Sequence, residues 1–355
     1  MRALLVLACA VALQGCALRH LYVEPLPAEA VELKARTGDG WDIALVHYRA
    51  AGEPKGPPVL LCHGISANYR NMDLDADHSL ARWFAAQGRD AFAMSLRGTG
   101  GSDYPDPAKG RPYEYSIDTF AEQDLPAAIA KVRAVTGAPK VQYVGHSMGG
   151  LIAYAYLARG GADLDAVVIL GSPARFVWGG AVDSFIRDWG STATKSLDSV
   201  PMAELASLIL PVHGEFEGPV ELLLYNPKNV NKRVWKKLIA NGLGTIAGGV
   251  LRQFTLWFER DAMVSADGSF DYGKALAGVR TPVFVVAGKL DRTAPVPAVK
   301  AGYEWLGGPK RFFVAGEANG FEADYGHMDM VVGDRASTEL WPRLLAFFES
   351  AHALR

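Results

Sequence analysis

The sequence predicts an α/β fold, a mostly parallel eight-stranded sheet flanked by helices with a mainly helical insertion in its second half. Three observations predict it. Apolar strand runs alternate with helical patterns along residues 31–172 and again along 275–355. Most of these runs are apolar throughout, as strands covered on both faces must be. The stretch YVGHSMGG, residues 143–150, sets a serine among glycines between a strand and a helix.

The elements follow in order. VELKART and WDIALVHYR alternate in polarity around a GDG turn and form a β-hairpin. PPVLLCHG is a continuous apolar strand, HSLARWFAAQG a helix closed by Gly88, and DAFAMSL a strand. IDTFAEQDLPAAIAKVRAVTG has helical spacing but contains Pro126, which lacks the N–H of the helical ladder, so a kink or early break is expected there. KVQYVGH, GGLIAYAYLARG and LDAVVILGS read as strand, helix and strand. Beyond a long interval, TPVFVVAGKLD is a strand, VPAVKAGYEWLGG a helix, KRFFVAG a strand and STELWPRLLAFFESA a helix. The expected organisation is a leader (1–15), a tether (16–30), a core in two parts (31–172 and 275–355) and a cap between them (173–274).

Half of the 355 residues are hydrophobic and the net charge is −2. This suits a folded protein with one sizeable core, and gives no electrostatic footprint for nucleic acid. No repeat and no internal membrane-spanning run is expected, and no protein partner is inferred.

The leader MRALLVLACAVALQGC has one cation, Arg2, then an apolar run too short to cross a bilayer, the layout of a secretory signal. Its LQGC end resembles a bacterial lipoprotein processing site, which implies Cys16 as the lipidated residue. Ala17 after it, by the same resemblance, implies the outer membrane, so the expected location is the cell envelope. The tether ALRHLYVEPLPAE reaches at most about 45 Å at roughly 3.5 Å per residue. Cys9 leaves with the leader, and Cys62, within an apolar strand, is expected to be a buried inert thiol.

The chemistry centres on Ser147. A serine on a tight strand-to-helix turn takes a strained backbone, and Gly145 and Gly149 remove side chains that would clash there. A serine hydroxyl needs a base, and the base an orienting acid. Of the histidines beyond Ser147, His213 falls in the long interval and His352 in the polar tail. His327, in ADYGHMDMVVG between the last strand and last helix, is the candidate base. Asp291, ending TPVFVVAGKLD, is the candidate acid; Asp324 and Asp329 are rivals that read as surface loop charges. Backbone N–H groups of Met148 and Ile65 are the expected oxyanion donors. His63, His146 and Arg97 read as structural. No metal or other cofactor is implied, because no histidine–carboxylate cluster has ligand spacing.

With these motifs in hand, the chain resembles the α/β-hydrolase superfamily. LLCHGISANYRNMD, GHSMGG and YGHMDMVVG are similar to bacterial serine hydrolases related to the acid lipases, with HGIS in place of an HGGG oxyanion motif. The resemblance implies hydrolysis of carboxylic esters through Ser147, His327 and Asp291. The cap is rich in large apolar residues, among them Phe176, Trp178, Phe185, Trp189, Phe216, Trp235, Phe254, Trp257 and Phe258. Most are expected to form its own core, the rest a pocket for a hydrophobic ester. NVNKRVWKKLIA is expected to be a cap helix with a solvated basic face rather than a lipid-docking helix. Acyl transfer by the same residues, or a non-catalytic envelope lipoprotein, are the alternatives.

Overall fold

The computed structural model describes residues 19–176, 192, 194–208, 210, 215 and 218–354. The expected leader, Cys16, Trp178, Phe185, Trp189, His213 and Phe216 lie outside the described residues. The hairpin strands β1 (Val31–Arg36) and β2 (Asp42–Tyr48) pair antiparallel around the GDG turn. They lead into β3 (Val59–Cys62), β4 (Ala91–Met94), β5 (Val141–His146) and β6 (Leu164–Leu170), then β9 (Val283–Gly288) and β10 (Lys310–Ala315). The sheet order is β1-β2-β4-β3-β5-β6-β9-β10; β2 runs antiparallel to β4 and the pairs from β4 to β10 are parallel. A short antiparallel pair, β7 (Ser199–Pro201) and β8 (Thr245–Ala247), forms a second sheet within the interval between β6 and β9.

Both faces of the sheet are covered, and the strand sequences show why. In β5, Val141 and Tyr143 join one core and Val144 the other; in β9, Val283 and Val285 face one way and Phe284 and Val286 the other. One face carries α1 (Leu80–Ala86), the other α2 (Leu125–Thr136) and α3 (Met148–Ala158). Ser79 caps α1 by accepting from the Arg82 N–H, and Gly88 follows the helix at φ 83°. Pro126 neither breaks nor ends its helix. A π-helical turn, Phe120–Asp124, precedes it, and the widened turn accommodates the missing N–H. The same turn turns Asp124 inward, where its carboxylate accepts from the Arg97 backbone and guanidinium. Arg97 bridges on to Asp39, so it orders its loop.

The interval between β6 and β9 adds helices Met202–Leu208 and Pro219–Leu224, then α4 (Lys232–Gly242) and α5 (Gly248–Arg260). Phe176, Phe254, Trp257 and Phe258 pack ring on ring within the core beside the sheet. Trp235 is buried on the opposite side. These aromatics are core, as most were expected to be. Helix α4 buries Val234, Leu238 and Ile239, while Lys236 pairs with Glu215, Lys237 with Glu24 and Asp75, and Lys232 with Glu215. Three of its four cations are thus neutralised within the protein, which fits a docked helix and not a lipid-binding one.

The expected tether is not free over its whole length. Arg19 donates to the Ala240 carbonyl, Asn241 exchanges hydrogen bonds with Tyr22 and Glu24, and Arg70 donates to Glu24. Residues 19–24 are therefore bound along α4, held by polar groups that the tether's own sequence does not reveal. Helices α6 (Val296–Trp305) and α7 (Trp341–Ser350) complete the layers. Among the described residues no helix is long and apolar enough to cross a membrane, and no group of residues has a metal-site arrangement.

Candidate active site

The strand order reverses around β3, with β4 on one side and β5 on the other, and such a switch point opens a crevice at the carboxyl ends of the strands. Ser147 occupies that crevice. It ends β5 and starts α3, at φ 54° and ψ −119°, a strained conformation for a residue with a Cβ. The turn is held from both sides. The Ser147 N–H donates to the Leu170 carbonyl at 2.8 Å, and the Ser172 hydroxyl donates to the Ser147 carbonyl at 2.7 Å. It also has no room for side chains nearby. A Cβ on Gly145 would lie 2.5 Å from the Gly149 carbonyl carbon, and one on Gly149 would strike the Cys62 carbonyl.

His327 and Asp291 meet beside this turn. The Asp291 carboxylate accepts from His327 Nδ1 at 2.8 Å and from the Thr293 and Ala294 N–H groups at 2.9 and 2.7 Å. Its side chain is fully buried, and three donors hold the charge in place. With Nδ1–H committed to Asp291, Nε2 of His327 is left as the acceptor. Gly171, at φ 56°, lets the chain pass close to both: a Cβ there would lie 3.1 Å from Asp291 Oδ2 and 3.2 Å from His327 Nδ1.

Gly64 packs against the serine, since a Cβ at that position would lie 3.5 Å from Ser147 Oγ. The next N–H, of Ile65, and that of Met148 donate to no protein acceptor among the described residues. Two unpartnered amides next to a hydroxyl at a helix N-terminus form a place where developing negative charge is stabilised.

The neighbouring histidines have structural partners. His63 donates from Nδ1 to the Gly64 carbonyl and accepts at Nε2 from the Leu96 N–H, and burial pushes its pKa down to about 4, so it stays neutral. His146 donates from Nε2 to the His327 carbonyl at 3.0 Å, its ring 4.7 Å from the His327 ring. Burial, with the neighbouring His327 imidazole next, pushes its pKa well below the usual imidazole range. Cys62 is a buried free thiol whose pKa burial pushes up to about 12. The Asp324 carboxylate accepts from the Glu317 N–H, away from His327.

Asp329 is not the surface charge that its sequence position suggested. It is fully buried and accepts from the Gly326 N–H at 2.7 Å, the Asn226 N–H at 3.1 Å and Asn229 Nδ2 at 2.8 Å. Two of those donors come from the interval between β6 and β9, so Asp329 ties that interval to the loop bearing His327. The Met328 N–H adds a bond to the Leu224 carbonyl, and Thr293, beside Asp291, bonds the Leu223 carbonyl. The one available signal was an acid two residues past a candidate base inside an apolar run, HMDMVVG. The loop bearing Ile65 is tied as well: Asn68 donates to the Asn241 and Leu243 carbonyls, and the Gly244 N–H to Ser66.

A model of the alpha/beta hydrolase fold matches residues 57–334. The chain belongs to the α/β-hydrolase fold family. Within it, triacylglycerol lipase 2 of Arabidopsis thaliana is 34% identical over 111 residues, and the gastric triacylglycerol lipase of Rattus norvegicus 36% identical over 104. These matches cover 30% and 28% of this chain but only 26% of each lipase. The AB hydrolase superfamily protein YisY of Bacillus subtilis is 28% identical over 251 residues, 69% of this chain and 78% of that protein. Among solved structures, the esterase EaEST from Exiguobacterium antarcticum superposes with a TM-score of 0.59 at 19% identity. It covers 90% of this chain and the whole of that one, a likeness of fold.

Two predictions follow from this geometry. Asp291→Asn keeps an oxygen for Thr293 and Ala294 but turns an amide donor toward His327, favouring the wrong tautomer. Steady-state kinetics should show kcat reduced by about 10⁴-fold while the melting temperature stays close to that of the parent. Asp329 is a stability sensor. Burial is the largest influence on its carboxyl and pushes it up to about 6 from 3.8, against the three donors. A raised folded-state pKa contributes stability that is present in full below pH 3.8 and lost as the pH rises through about 6. In thermal melts, Asp329→Asn should therefore show a smaller gain than the parent as the pH falls from 7 to 5, and an unchanged difference across that window would refute the assignment.

Proposed function

We propose that the protein is a serine esterase in which Ser147 is the nucleophile, His327 the general base and Asp291 the residue that orients it. The observation that carries this reading is the Nδ1–Asp291 hydrogen bond of 2.8 Å, which leaves Nε2 free to accept, beside a strained serine flanked by two unpartnered amides. His327 takes the proton of Ser147 as Oγ attacks the ester carbonyl. The Ile65 and Met148 N–H groups hold the oxyanion, and the Met148 donor gains from the α3 N-terminus behind it. His327 then returns the proton to the leaving alcohol, and water cleaves the acyl-enzyme by the same route. Asp291 stabilises the imidazolium that forms in between. The lipases and esterases among the relatives support an ester as substrate.

The reading extends to location. The leader and the LQGC sequence support export and lipidation at Cys16, at the bacterial envelope and on the outer membrane. Residues 19–24 lie along α4, so a lipid on Cys16 is followed by only Ala17 and Leu18 before the docked chain. That spacer is about 10 Å long at roughly 3.5 Å per residue. The enzyme would then sit against the bilayer instead of reaching away from it.

Ser147→Ala tests the catalytic reading. The parent should be labelled by a fluorophosphonate and hydrolyse p-nitrophenyl esters, and the variant should do neither while melting at the parent's temperature. A folded parent that is not labelled would make the protein a binding lipoprotein. For location, Cys16→Ala in a bacterial host should move the protein from the membrane to the soluble fraction and abolish palmitate incorporation; membrane retention without the cysteine would refute the anchor.

A further inference from the structure

We propose that residues 19–24 support catalysis: docked on the end of α4, they hold Asn241 as a positioning residue for the Ile65 oxyanion donor. The inference rests on the reading of Ser147 as nucleophile and of the Ile65 N–H as a donor to its oxyanion. It needs no lipid at Cys16.

The end of α4 is shared between two partners. The last carbonyls of a helix have no helical N–H to bind and must find donors elsewhere. The Ala240 carbonyl accepts from Arg19 Nε at 3.0 Å, so it belongs to the N-terminal segment. The next two carbonyls face the loop after β3. That of Asn241 accepts from Asn68 Nδ2 at 2.9 Å, and that of Gly242 from the Asn68 N–H at 3.0 Å. Asn68 Nδ2 also donates to the Leu243 carbonyl, and the Gly244 N–H donates to the Ser66 carbonyl at 2.8 Å. Residues 241–244 thus run antiparallel along the loop, with Leu243 opposite Ala67.

Asn241 joins the two sides. Its main chain binds Asn68, and its side-chain amide binds the N-terminal segment. Oδ1 accepts from the Glu24 N–H at 2.9 Å, and Nδ2 donates to the Tyr22 carbonyl at 2.7 Å. Nδ2 also donates to the Lys237 carbonyl at 2.7 Å, which occupies both amide donors. The segment is fastened a second time, because Glu24 pairs with Lys237 and its carbonyl accepts from the buried Arg70.

The loop that this end of α4 grips is strained. Ser66, next to Ile65, sits at φ 52°, and a residue with a Cβ stays there only where its surroundings over-determine it. Gly244 presses close: a Cβ on it would lie 3.1 Å from the Ala67 carbonyl oxygen and 3.0 Å from Thr99 Cγ2. With Asn241 released, residues 241–244 can withdraw, Ser66 relaxes toward negative φ, and the Ile65 N–H loses its aim. Such a donor acts only where it points at the developing charge. A displacement of about 1 Å, caused far from the chemistry, is worth about a hundredfold in rate.

The test compares the full chain with Asn241→Ala, with Arg19→Ala plus Glu24→Pro, and with all three substitutions together. A proline at 24 has no N–H for Asn241, and Val23 at ψ 126° tolerates a proline after it. Two quantities are read at a temperature where circular dichroism shows every chain folded. These are kcat and KM for p-nitrophenyl butyrate, and Ki for an alkyl trifluoromethyl ketone, whose adduct with Ser147 carries an oxyanion. In each variant kcat should fall about ten- to a hundredfold with KM unchanged, and Ki should rise by the same factor. The triple variant should lose no more than the more impaired of the other two, because all act through one contact. Variants that keep the parent's kcat and Ki and only melt earlier, or losses that multiply, would overturn the positioning role and leave the nucleophile standing. Should Asn241→Ala not fold, the N-terminal variant, which leaves Asn241 in place, decides alone. A folded parent neither inhibited by the ketone nor labelled by a fluorophosphonate would overturn the reading of Ser147, and this inference with it.

Discussion

The structure depends on one constraint, the reversal from β5 into α3 within a single residue. Ser147 is held at positive φ because its N–H is bound to the end of β6 and its carbonyl to Ser172. That reversal brings the start of α3 onto the end of β3, so close that only glycine fits at 149. The consequences are chemical as well as steric. The same packing that strains the serine aims the helix N-terminus at it, sets Gly64 against its side chain, and leaves the Ile65 and Met148 amides without an acceptor among the described residues. A relaxed turn would satisfy those amides and lose the site's polarity.

A second layer of organisation comes from the interval between β6 and β9. Its carbonyls and amides bind the loop bearing Ile65 through Asn68, Ser66 and residues 241–244. They bind the loops bearing Asp291 and His327 through residues 223–229. Asp329 is the buried acceptor at the centre of the second set. The interval therefore supplies the hydrogen bonds that fix the loops on both sides of Ser147.

Much of this was legible in the sequence because the signals are local. Strands buried on both faces must be apolar at every position, and the alternate assignment of Val141, Tyr143 and Val144 to opposite cores is what that pattern encodes. GHSMGG marks a reversal that no bulkier sequence could make. The chain order Ser147, Asp291, His327 placed three residues that the fold brings to one end of the sheet. What was not legible depends on tertiary partners. Asp329 reads as a loop acid until Asn226 and Asn229 arrive from a hundred residues away. Residues 19–24 read as linker because their partners lie on α4. Pro126 reads as a break because nothing local announces a π-helical turn.

The ties between the interval and the loops bear on how such a protein diversifies. An insertion joined to its host only at its two ends can be exchanged by recombination, the scaffold staying intact whatever is grafted into it. Here the graft would remove the acceptors for Asn68 and Gly244 and the donors for Asp329 in one event. The insertion and the loops bearing Ile65, Asp291 and His327 are thus bound to change together, residue against residue, and a chimaera that swaps one without the other loses its framework.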